Sequence, residues 1–92
     1  MTVQQLRSHF RRGQAIKYAW PGGYPLFFLC SDGGTLCPTC ATKERKQLFR
    51  STHEQSHDGW RIDAVDVNWE SLIFCDHCGN PIESAYDPTD AN

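Results

Sequence analysis

Two C-x-x-C pairs limit what this chain can fold into more than any other feature of its sequence. The first pair is Cys37-Pro-Thr-Cys40 and the second is Cys75-Asp-His-Cys78. Two thiolates three residues apart in a tight turn can face one point, so two such turns offer four sulfurs to a single ion. That donor set suits tetrahedral Zn²⁺, with Zn–S bonds of ~2.3 Å and no position left for water. The spacing therefore predicts one structural zinc ion held by Cys37, Cys40, Cys75 and Cys78.

Disulfides and redox thiols are the alternatives to a metal site. A chain of 92 residues has five cysteines, and this odd count fits a fully paired disulfide framework poorly. C-x-x-C is also the thioredoxin-type redox motif, but that motif belongs to a βαβ pattern, which the sequence lacks. It would also leave the second pair unexplained.

Length and hydropathy indicate one small domain. At 92 residues, a chain buries roughly 60–65% of its unfolded surface, so a metal is a common addition to a thin core. We find neither a signal-type apolar segment near the first residues nor a stretch of membrane-spanning length. We expect a single zinc-stabilised domain over 1–92, ending in a flexible acidic tail over 84–92. We also expect a cytoplasmic location and no membrane partner.

The two cysteine turns resemble those of zinc-ribbon and treble-clef domains. The resemblance rests on "CPTC" and on "CDHCG", in which Gly79 can adopt the positive φ that a zinc knuckle requires. It departs from the simplest four-cysteine pattern because 34 residues, 41–74, separate the pairs. The resemblance implies a structural zinc and an antiparallel sheet. In general style the chain also resembles small zinc proteins carried by bacteriophages and mobile elements, which implies a host protein as partner.

Local patterns predict a small α+β fold with two helices. Thr2 and Gln5 have the spacing of a capping box, which predicts a helix from residue 2 that Gly13 ends in the left-handed conformation. The run "ATKERKQLFR" predicts a second helix that begins at Cys40, directly after the first cysteine turn.

Three segments have strand character: "QAIKYAW", "YPLFFLC" and "WRIDAVDVNW". The second is apolar throughout and predicts a strand buried on both faces, followed by a hairpin turn at "SDGG". The third changes its alternation near Ala64–Val65, which predicts a bulge. Cys30 ends the apolar strand and is expected to be a core side chain. Whether Cys30 or His77 takes part in metal binding stays open at this point.

Residues 53–57, "HEQSH", match the HExxH signature of zinc metalloproteases. That chemistry needs both histidines on one helical face, a further ligand and an open coordination position. The surrounding stretch "STHEQSHDG", residues 51–59, is polar and too short for a packed helix, so we expect a solvated connector over it. We therefore expect no enzymatic activity and infer no small-molecule substrate.

Charge is divided unevenly between the two halves of the chain. Residues 1–50 contain eight of the nine Lys and Arg and only two acids, whereas residues 51–92 contain one base and nine acids. The bases that could form a partner-binding surface lie on the two predicted helices: Arg7, Arg11, Arg12, Lys43, Lys46 and Arg50.

Two functions fit these observations. The first is a non-enzymatic zinc-binding interaction module, a regulator or adaptor that docks on a larger protein assembly. Three Trp, three Tyr and five Phe support it, because aromatic side chains are enriched at interface hot spots. The second is a nucleic-acid-binding zinc ribbon that uses the basic helix faces. The sequence pI of about 6.0 argues against strong, non-specific phosphate binding, so the protein partner is preferred.

Overall fold

The computed structural model describes residues 1–20 and 22–86. Its helices and strands form a small α+β fold, as the sequence predicts, and its strands form two antiparallel sheets, one more than expected. No helix in these residues is long and apolar enough to cross a bilayer. In chain order the elements are α1 (Val3–Arg7), β1 (Phe10–Arg11), β2 (Gln14–Ala15), β3 (Tyr18–Ala19), β4 (Tyr24–Cys30), β5 (Thr35–Leu36), α2 (Pro38–Lys43), α3 (Arg45–Glu54) and β6 (Ile62–Val67).

The apolar strand β4 is the centre of the larger sheet. One of its edges pairs with β3 near its start and with β5 near its end, and β6 runs along the other edge. Leu26, Phe28 and Cys30 point to the buried face, and the residues between them are half-buried. The predicted "SDGG" turn joins β4 to β5, with Cys30 N–H donating to the carbonyl of Gly34 at 2.8 Å.

The first helix is shorter than the sequence predicts. Thr2 and Gln5 form the predicted capping box, but α1 ends at Arg7. Gly13 does not cap it, so that prediction is wrong. Arg12 and Gly13, with φ of 55° and 78°, instead form the two-residue turn of the hairpin β1–β2. Two successive positive φ values are what a tight hairpin turn with native twist requires.

The core lies between β4, β6 and the helices. Leu6 of α1, Phe28 of β4, Leu48 of α3 and Ile62 of β6 are all fully buried. Phe10 places its ring 5.8 Å from that of Phe28, so the first hairpin closes one side of this core. Burial of several such side chains at ~1.5–3 kcal/mol each is the main apolar contribution to stability.

Strand β6 contains an irregularity close to where the sequence predicts one. Leu29 pairs with Ala64, but the next residue of β4, Cys30, pairs with Ile62. Asp63 is therefore the extra residue of a bulge, just before the predicted position at Ala64–Val65. The bulge turns the start of β6 towards α3, where Ile62 N–H donates to the hydroxyl of Thr52 at 3.2 Å.

A buried asparagine organises the chain after β6. The side-chain amide of Asn68 donates to the carbonyls of Ser71, Ile82 and Glu83 and accepts the Ser71 N–H. Ala85 and Tyr86 donate their backbone N–H groups to the carbonyls of Asn68 and Trp69. Residues 85–86 of the tail predicted over 84–92 are thus tied to residues 68–69. The remainder of that prediction, from 87 onward, lies outside the described residues.

Candidate metal centre

The four cysteines of the two C-x-x-C pairs lie together. Their Sγ atoms are all within 4.8 Å of one another, in a group that can hold a metal ion. The Sγ atoms of Cys37 and Cys78, which come from different pairs, are 3.9 Å apart. A tetrahedral ion with Zn–S bonds of ~2.3 Å places neighbouring sulfurs about 3.8 Å apart, so this separation fits the ion directly. Thiolate donors without oxygen or nitrogen ligands favour a soft or borderline metal.

The first pair is built on the start of a helix. Cys37 is the N-cap of α2, and Pro38 occupies the first helical turn, where its fixed φ and missing N–H are tolerated. The N–H of Cys40 points at the Cys37 sulfur, 3.5 Å away. The helix therefore begins at Pro38, inside the cysteine pair, and not at Cys40 as the sequence predicts. This start places both thiols in the first turn of one rigid element.

The second pair lies in a knuckle closed by its own backbone. Gly79 N–H donates to the carbonyl of Cys75 at 2.8 Å, and Cys75 N–H donates to that of Asn80 at 2.9 Å. Gly79 has φ of 77°, the left-handed conformation that glycine adopts without steric cost. Phe74 and Pro81 form an isolated antiparallel bridge just outside the knuckle. The turn thus holds its two thiols on one side.

Strand β5 holds the two pairs against each other. Thr35 makes two hydrogen bonds with Asp76: its N–H donates to the side-chain carboxylate at 2.7 Å, and its carbonyl accepts the Asp76 backbone N–H at 2.8 Å. Its hydroxyl donates to the carbonyl of Phe74 at 2.7 Å. Two residues later, Cys37 N–H donates to the Cys75 sulfur at 3.4 Å. Protein hydrogen bonds therefore already bring together the four sulfurs.

The local environment shifts the pKa values of Cys37, Cys40 and Cys75 in different directions. Burial acts to raise the pKa of Cys75, but hydrogen bonds from neighbouring backbone N–H groups, led by that of Cys78, outweigh it and lower the pKa to about 6. Burial raises the pKa of Cys37 and of Cys40, with the hydrogen bond to Cys37 adding to the effect at Cys40. A cluster with one readily formed thiolate beside buried thiols is one that a cation stabilises.

The two residues left open by the sequence lie apart from this set. Cys30 is buried in the apolar core, where burial and then the charge of Asp32 raise its pKa to about 11. The side chain of His77 lies between Glu44 and Trp60, with Nε2 3.6 Å from the Glu44 carboxylate and the ring centroid 5.7 Å from that of Trp60. Within the described residues, the group that can hold a metal contains the four paired cysteines and neither of these side chains.

The HExxH segment does not form a metal-binding helical face. Helix α3 continues to Glu54 and buries Ser51 and Thr52, so the prediction of a solvated connector over 51–59 is wrong for residues 51–54. The helix then ends at Gln55, whose φ of 54° is left-handed. His57 lies beyond this break, and both histidines are exposed. The absence of enzymatic activity stays a prediction.

The six bases singled out in the sequence are all exposed, but not where two long helices would put them. Arg7 lies on α1, whereas Arg11 and Arg12 lie on the hairpin β1–β2, which corrects their assignment to the first helix. The second helix is also interrupted: Glu44, with φ of −102° and ψ of 21°, separates α2 from α3. Lys43 therefore ends one helix, and Lys46 and Arg50 belong to the next.

Fold and site together define a small α+β protein with a cluster of four cysteines that can hold a metal ion. Comparison with protein-family models, with curated proteins and with solved structures found no match for the chain.

Proposed function

We propose that this chain is a zinc-stabilised interaction module that docks on a larger protein assembly. Four thiols with a sulfur separation close to the tetrahedral value support Zn²⁺ as the ion. Bound by four cysteines, such an ion is coordinatively closed and has a structural role. In this chain it would tie the start of α2 to the knuckle at 75–78 and so hold the two halves of the sequence together.

The observation that carries the docking role is an exposed aromatic surface. Tyr24 at the start of β4 and Trp69 after β6 pack against each other with ring centroids 4.6 Å apart, yet about half of Trp69 remains accessible. Tyr86, bonded through its backbone to Trp69, is also exposed. Trp20, at the tip of the β3–β4 hairpin, is 92% exposed. We call Trp20, Tyr24, Trp69 and Tyr86 the aromatic surface.

Exposing several large aromatic side chains to water is unfavourable in free energy, and such exposure is typical of a binding site. Large exposed apolar patches mark interaction sites, and Trp and Tyr dominate the energetics of protein interfaces. One acidic residue, Glu70, directly follows Trp69 in the chain and is exposed. A negative charge next to the aromatic residues favours a partner that presents an apolar segment flanked by basic residues.

Affinity capture from the native host, with and without nuclease, tests the docking role. The bait is the metal-loaded chain, compared with a Trp20→Ala/Trp69→Ala variant. We expect a protein that is retained by the wild type, is insensitive to nuclease and is lost from the variant. Phe74→Ala is the matched control, because Phe74 is 50% exposed against 49% for Trp69 but lies beside the metal knuckle. The control should retain the partner.

Three results would count against this function. Capture that survives in the double tryptophan variant places the interface elsewhere, and capture abolished by nuclease assigns it to nucleic acid. A concentration-dependent dimer that disappears in the same variant, measured by sedimentation, assigns the surface to self-association. A host-protein partner of the bacteriophage type and a cytoplasmic location stay predictions.

A further inference from the structure

A second surface brings together positive charges that are far apart in the sequence. The tip of the β1–β2 hairpin lies against the junction of α2 and α3: a methyl group placed on Gly13 would lie 3.9 Å from Nε of Arg45. The hairpin is fixed there by the N–H of Ala15, which donates to the hydroxyl of Thr42 at 2.9 Å. Arg11, Arg12, Lys43, Arg45 and Lys46, all exposed, form what we call the basic surface.

The charges of this surface have no carboxylate partner among the described residues. The two ion-pair contacts found there join Arg61 to Asp63 and His77 to Glu44. Glu44, the acid nearest in sequence to the basic surface, is thus directed to His77. Each of the five basic side chains therefore lies more than 4.0 Å from every described carboxylate oxygen. Like charges held together in this way repel one another, and a polyanion would remove that repulsion.

The surface extends towards the metal centre. Lys17 and Lys43 line one cleft of about 350 Å³ together with three of the site cysteines, Cys37, Cys40 and Cys78. Glu83 lies in the same cleft, where it accepts the Tyr18 hydroxyl, and so marks the acidic limit of this face. A track of positive charge therefore runs from the hairpin tip across the helix junction to the cleft.

We propose that the basic surface binds the phosphate backbone of nucleic acid, independently of the aromatic surface. Three of its five side chains are arginines, whose planar guanidinium groups can form bidentate hydrogen bonds with phosphate. Several separate cations on one surface can contact successive phosphates, and such contacts need no base readout. The overall charge of −2 does not prevent this, because charges more than about 8–10 Å away are largely screened at physiological salt.

Fluorescence anisotropy with the metal-loaded full chain tests the proposal. The probes are a labelled 20-base-pair DNA duplex and single strands of DNA and RNA with two unrelated sequences. We expect binding of at least one of these forms that does not depend on sequence. With five phosphate contacts on duplex DNA, log K should fall against log salt with a slope of about −4.5, an affinity loss of about 500-fold between 50 and 200 mM salt.

A charge-matched pair of variants separates the surface from overall charge. Arg11→Gln/Lys46→Gln removes two of the five bases and keeps Arg45, whose guanidinium donates to the carbonyl of Thr42 at 3.1 Å; it should reduce the slope by about 2. Ser71→Asp/Leu72→Asp changes the net charge by the same amount, in the loop after β6, and should leave the slope unchanged. Thermal unfolding of both variants verifies that they are folded.

Several outcomes would overturn the proposal. One is the absence of binding to all three probes at 50 mM salt. Another is equal weakening in the two charge-matched variants, which would make overall charge the cause. The last is competition by polyglutamate as effective as that of unlabelled DNA at equal charge, because the surface would then be a site for acidic proteins. Failure of this proposal would not count against docking through the aromatic surface, because the docking test uses variants of different residues.

Discussion

Removal of the metal should destabilise this protein by an amount that follows from the distance between the two cysteine pairs. An ion held by the four cysteines would join residues 38 positions apart, Cys37 and Cys75. If it is treated as a cross-link, closing a loop of that length costs the unfolded chain about 4 kcal/mol of entropy. A 92-residue domain has a total free energy of unfolding of about 5–14 kcal/mol, so the cross-link is a large part of it.

The expected effect is readily measured. A loss of about 4 kcal/mol in a domain of this size lowers the melting temperature by about 15–30 °C. Thermal unfolding followed by circular dichroism, with and without a strong chelator, gives this shift, and re-addition of Zn²⁺ should reverse it. Elemental analysis should find one zinc per chain in the wild type and none in Cys75→Ser/Cys78→Ser.

Cys30→Ala is the matched control, because it removes a cysteine that lies in the core and outside the metal group. It should keep one metal per chain and lose only packing energy. A chelator shift below about 5 °C would contradict the cross-link argument. Metal retained in the double serine variant would contradict the ligand assignment, and iron in place of zinc would contradict the identity of the ion.

Three further predictions concern residues around the site. His53→Ala/His57→Ala should leave metal content unchanged and the melting temperature nearly so, because both side chains are exposed and outside the metal group; loss of metal would revive the HExxH reading. Thr42→Val should lower the free energy of unfolding, measured with denaturant, by about 1–3 kcal/mol, because the backbone N–H of Ala15 loses the hydroxyl that accepts its hydrogen bond. Thr39→Val, at an exposed position, should lower it little. Cys30, whose pKa is raised by burial from 9.0 to about 11, should resist alkylation at pH 8 in the folded protein; because the unfolded thiol ionises first, its contribution to stability should fall as pH rises from 9 to 11.

The cluster of four cysteines could be predicted from sequence because its signals are local. Each C-x-x-C pair specifies its own turn, and Gly79 after the second pair supplies the positive φ that the knuckle uses. The same holds for the capping box at Thr2 and for the apolar strand β4. In all these cases the residues that determine the structure lie within a few positions of one another.

The first hairpin shows where local signals become ambiguous. A glycine with positive φ serves equally as a helix cap and as part of a hairpin turn, so Gly13 fits both. The choice is made by packing: Phe10 places its ring 5.8 Å from Phe28 and 5.1 Å from Phe49. These contacts reach 18 and 39 positions along the chain, and no pattern within the segment contains them.

Two functional features depend on long-range contacts and could not be predicted. Arg45 was not among the candidate bases, since its role arises from its position beside Gly13, 32 residues away in sequence. Asn68 gave no signal either, because a single polar residue at the end of a strand is common. Its importance follows from burial and from the carbonyls that surround its amide. Both features need the folded chain to be recognised.

Both proposed surfaces are connected to the cysteine site through short stretches of chain, so each should depend on the bound metal, and this dependence can be measured. On one side, α2 contains Cys40 and, two residues later, Thr42, whose hydroxyl accepts the N–H of Ala15 and so holds the β1–β2 hairpin of the basic surface in place. On the other side, the chain leaves the knuckle at Cys78 and reaches Ile82, whose carbonyl accepts a hydrogen bond from Asn68, the residue directly before Trp69. Loss of the metal should therefore weaken both binding activities together. Variants of either surface should leave the metal in place and the other activity intact, and binding by the metal-free protein at wild-type affinity would contradict this dependence.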